Sequence, residues 1–65
     1  MNTFATTSIE RLEELAAWHR VNASHAGSVW VWDARLRTAE DLERQAAELR
    51  AQLRHTRAAA LDQAA

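Results

Sequence analysis

Apolar positions recur along this chain at steps of three and four, the spacing of one face of an α-helix rather than the alternation of a strand. In the first half the stripe is Ile9, Leu12, Leu15, Ala16, His19, Ala23 and Ala26. It opens where Thr7 and Glu10 stand three apart. That is the spacing of a capping box, in which hydroxyl and carboxylate each take a backbone N–H left unpaired by the first turn; Ser8 is the alternative cap. Glu10, Glu13 and Glu14 then place negative charge near the positive end of the helix dipole. The expected stop is Gly27, the only glycine, in the left-handed conformation that often closes a helix. These signals predict a first helix over residues 8–26 and a tight turn near Gly27.

The next segment, Ser28 to Asp33, contains Val29, Trp30, Val31 and Trp32, a run with strand propensity. A longer pattern opposes that reading. Val29, Trp32, Leu36, Ala39, Leu42, Ala46, Leu49 and Leu53 follow one another at helical steps straight through the disputed stretch. A lone strand would also need a pairing partner, and no other segment resembles one. A long second helix over residues 28–62 is therefore expected. Thr38, followed by Glu40 and Asp41, could start a new helix, so a bend near Thr38 stays open. Asp33 to Arg37 and Glu40 to Arg44 have the (i, i+4) spacing of ion pairs along one face.

The fold class predicted is thus all-α: a two-helix hairpin that assembles into a helical bundle. It forms one domain over residues 1–65, with 1–7 a flexible arm and 62–65 a frayed end. Composition agrees, because Ala, Arg, Leu and Glu dominate and proline is absent. With 65 residues a single core is thin, and with no cysteine neither disulfides nor thiolate metal sites can reinforce it. Oligomerisation or regular helix packing has to supply the missing stability.

Length strengthens this expectation. At 1.5 Å per residue the first helix spans ~28 Å and the second ~50 Å. Folding back from Gly27 covers the second helix only to about residue 47, so Leu49 and Leu53 are expected to project on an uncovered stripe. Ala39, Leu42, Ala46, Leu49, Leu53, Thr56 and Ala60 also alternate three and four in a coiled-coil frame. Trp30 and Trp32 lie roughly 160° apart on a helix, so one hairpin face cannot bury both. Trp18 and Trp32 are expected to pack together across the turn, leaving Trp30 as an anchor for another chain. The expected partner or oligomer interface is therefore Trp30, Trp32, Leu42, Leu49 and Leu53. The partners it implies are a second copy of this chain, a larger protein, or both.

Charge and candidate chemistry narrow the classes. A net charge of −1 argues against bulk attraction to nucleic acid or anionic membrane. Arg50, Arg54 and Arg57 fall within about 60° of one another on a helical wheel. They make a candidate basic patch, and a dimer pairing two such patches is the nucleic-acid-binding alternative. A structural subunit of a larger assembly is a third reading. His19 and His25 are six apart, which is not the geometry of a two-histidine metal site, and His55 stands alone. His19 beside Asn22 instead suggests a buried polar pair that sets register. No nucleophile elbow, phosphate loop or carboxylate dyad is present, so no enzyme, metal or cofactor is expected.

Met1 to Thr7 shows neither a basic nor an apolar leader region, and no run reaches the ~18–20 apolar residues of a membrane span. Asn22-Ala23-Ser24 matches a glycosylation triplet but reads as chance without a secretion signal. A cytoplasmic location is the expectation.

Overall fold

The computed structural model describes residues 2–64, and the side chains of residues 6–63. Helix α1 spans Asn2–Ala23 and helix α2 spans Val29–Ala64. They fold back on each other as an antiparallel hairpin. At 1.5 Å per residue α2 is ~54 Å long, which accounts for the 56 Å long axis of the molecule.

The seam between the helices is built from small residues, with Ile9 the one large exception. Ile9, Ala16 and Ala23 of α1 are buried, and so are Ala39 and Ala46 of α2. Within each helix these positions are seven apart, so they form one line down a side of the cylinder. Alanine at such positions lets two helices approach closely. It also removes little apolar surface from water, since burial stabilises by roughly 25 cal/mol per Å². Leu12, Leu36, Leu42, Leu49 and Leu53 flank the line and are half-buried.

The turn differs in detail from expectation. Helix α1 ends at Ala23, because side chains and turn amides collect its last carbonyls. Ser24 Oγ donates to Val21 O at 2.6 Å, and Asn22 Nδ2 donates to Trp18 O at 2.8 Å. The His25 and Ala26 amides donate to Asn22 O and Ala23 O. Gly27 does not adopt positive φ, so it is not a left-handed cap. Ser28 caps α2: its Oγ accepts from Val31 N at 3.3 Å and its carbonyl accepts from Trp32 N at 3.0 Å. The run from Val29 to Trp32 is helix, and the strand alternative falls.

Two other expectations are corrected, and the alternative left open at Thr38 closes. The capping box at Thr7 does not form a helix start, because α1 already runs from Asn2 through Thr7. Met1 and Ala65, parts of the expected flexible arm and frayed end, lie outside the described residues. Helix α2 does not restart at Thr38, whose Oγ1 donates to Ala34 O at 2.9 Å within a continuous helix. Asp33 and Arg37 do pair, at 2.8 Å, but Arg44 pairs with Asp41, three residues back, rather than with Glu40.

Candidate functional site

The two sides of the hairpin differ in chemistry. One side carries ion pairs between the helices. Arg20 binds Glu43 through two hydrogen bonds, and Arg50 Nη1 lies 2.5 Å from Glu13 Oε2. Hydrogen bonding from Arg20 holds the Glu43 carboxyl below its ordinary range, against a smaller opposing effect of desolvation. The same hydrogen bond raises Arg20.

On a helical wheel centred on the buried alanines, the opposite side presents Leu12, Leu15, Trp18 and Asn22 from α1. From α2 it presents Val31, Ala34, Thr38 and Gln45. All eight of these are uncharged, and three large ones are exposed: Leu15 at 47%, Trp18 at 52% and Val31 at 41%. A groove on this side runs between Trp18 and His19 of α1 and Trp30, Val31, Ala34 and Thr38 of α2. Arg35 also lines this groove, and its guanidinium lies 5.4 Å from the Trp18 ring centre, a cation–π distance. A second shallow hollow between Arg11, Glu14, Leu15 and Trp18 continues the surface along α1.

Trp30 stands at the turn end of this side, 86% exposed, with Val29 beside it at 76%. Trp32 points the other way around α2 and lines a hollow with Ala23, Ala26 and Gly27. Trp18 and Trp32 therefore do not pack on each other as expected; the ring against Trp18 is His19, edge-on at 5.0 Å.

The five residues expected at an interface thus separate into two groups. Trp30 and Trp32 are exposed at the turn, whereas Leu42, Leu49 and Leu53 are half-buried in the hairpin. Leu49 and Leu53 do not project beyond the first helix. Helix α1 starts six residues earlier than expected, and Thr6, Ile9 and Leu53 border one groove. The uncovered length of α2 lies further on, where Leu61 is 68% exposed.

The basic patch is altered as well. Arg50 is engaged by Glu13, and Arg54 and Arg57 line a groove that also contains Glu10. His19 and Asn22 form no pair, since Asn22 bonds the Trp18 carbonyl and His19 Nδ1 is buried without a hydrogen-bond partner. Among the described residues no group of three or more His, Cys, Asp or Glu could hold a metal ion, and no helix is long and apolar enough to cross a membrane.

No protein family, curated protein or solved structure matches this chain. Leu15, Trp18 and Val31 were missing from the expected interface. Their signal was present in the sequence as a second apolar track, Leu12–Leu15–Trp18, lying beside the buried one.

Proposed function

We propose that this chain is a non-enzymatic interaction module, a helical hairpin that acts by docking on other protein chains. The observation that carries this reading is the exposure of the apolar residues around the turn, with Trp30 at 86% as its extreme. Tryptophan in such a position loses hydration readily and supplies a large rigid contact, which is why it is enriched where interfaces concentrate their binding energy. It stands in the first turn of α2, which Ser28 caps two residues before it. A role as regulator, adaptor, inhibitor or assembly component fits this architecture equally.

The nucleic-acid alternative has less support, since Glu13 and Glu10 stand among the arginines it would use. The test is site-specific photo-crosslinking in cells that make the protein. A photoreactive residue at position 30 should give discrete protein adducts, and one at position 47, on the charged side, should not. Equal yields at the two positions, or none at 30, would refute the reading.

A further inference from the structure

We propose that the neutral side of the hairpin is the seat of a second copy of this chain, so that two hairpins close face to face into a four-helix bundle. The proposal rests on the interaction-module reading and names its first partner.

Surface area is the first argument. A compact monomer of this mass exposes about 4,200 Å². This chain exposes 5297 Å², which leaves roughly 1,100 Å² more than a compact fold would show. Each partner in a stable dimer covers about 800 Å², so one dimer face accounts for most of the excess.

The placement of charge is the second. The helices satisfy their inter-helix ion pairs, Arg20–Glu43 and Glu13–Arg50, on the other side. The neutral side has Arg35 drawn onto Trp18, and Arg11 beside Glu14. Two copies can therefore meet there without setting one block of like charge against another.

Shape is the third. A two-fold interface must be complementary to itself, and this side offers both a protruding ring, Trp30, and a groove between Trp18 and Thr38. Helix pairs with one apolar side reach closed packing as four-helix bundles.

The experiment is sedimentation equilibrium on the purified full chain from micromolar to about millimolar concentration. Three variants accompany it: Leu15→Glu and Ala34→Glu on the neutral side, and Ala47→Glu on the charged side. All three positions are exposed in the single hairpin, and circular dichroism checks that each variant remains helical. The expected result is a dimer whose dissociation constant rises at least about 30-fold in Leu15→Glu and Ala34→Glu and is unchanged in Ala47→Glu. A wild-type monomer across the whole range overturns the proposal. So does a dimer that survives both neutral-side charges, or an open series of higher oligomers. A monomer that still gives adducts from position 30 in cells would leave the interaction-module reading standing while removing the second copy.

Discussion

The Arg20 guanidinium grips the Glu43 carboxylate with two parallel hydrogen bonds, Nε to Oε2 at 2.8 Å and Nη2 to Oε1 at 2.6 Å. Seven residues back on α1 stands Glu13, and seven forward on α2 stands its partner Arg50. The two pairs define the antiparallel register, and their signs are opposite. Sliding one helix by a heptad brings Arg20 opposite Arg50 in one direction and Glu13 opposite Glu43 in the other. The alanine seam repeats every seven residues and resists such a slide only weakly. The ion pairs are exposed and screened, so their role is to penalise wrong registers more than to hold the right one.

Charge reversal tests this role. Arg20→Glu should destabilise the hairpin, and adding Glu43→Arg should restore most of the loss. A double-mutant cycle by urea unfolding at fixed protein concentration measures the coupling. The coupling should shrink in ~1 M salt, where the screening length is about 3 Å. Independent, additive effects would mean that the pair does not define register.

Acid should act on the same pair. The folded-state pKa of Glu43 is depressed, so its contribution is present above the ordinary glutamate value of about 4.3 and is lost as pH falls through the depressed value. Stability should therefore decline below about pH 4. In Glu43→Gln that decline should be shallower, which thermal melts between neutral and acid pH would reveal.

The alanine seam leaves no room for larger side chains. Ala46→Leu, at a buried position facing α1, should cost about 1–3 kcal/mol through forced separation of the helices. The exposed Ala47→Leu, one residue on, should be nearly neutral in the same denaturation experiment.

Gly27 is available for stabilisation. Its φ is not positive, and an added Cβ would meet nothing within 4 Å. Gly27→Ala should raise stability by about 0.4–1 kcal/mol by restricting the unfolded chain. A loss of stability would show that the turn needs glycine after all.

His19 places a buried, unpartnered Nδ1 beside the seam, at the groove. Such an atom loses its water without gaining a protein partner. His19→Leu removes it and should raise stability by about 1 kcal/mol. If it lowers stability instead, the imidazole makes a compensating interaction that a leucine cannot replace.

The existence of two helices and their meeting near Gly27 could be read from the residues alone; at Val29 to Trp32 the residues favoured helix over strand without settling it. Helical periodicity is a property of a single segment, and it outweighed the strand preference of four residues. Where α1 begins was not legible: Thr7 and Ser8 look like caps in isolation, yet the helix runs on through them. Its early start covers Leu53, and only the other helix makes that covering worthwhile.

The exposure of the tryptophans was likewise undecidable from spacing. A wheel shows that Trp30 and Trp32 diverge, but not that the seam would be assigned to Ala16, Ala23, Ala39 and Ala46. Close approach along those alanines left Leu15 and Trp18 outside. Pattern determined the helices because hydrogen bonding along the backbone is local. Tertiary structure decided which apolar track was buried, because packing depends on what the opposite helix presents at each level.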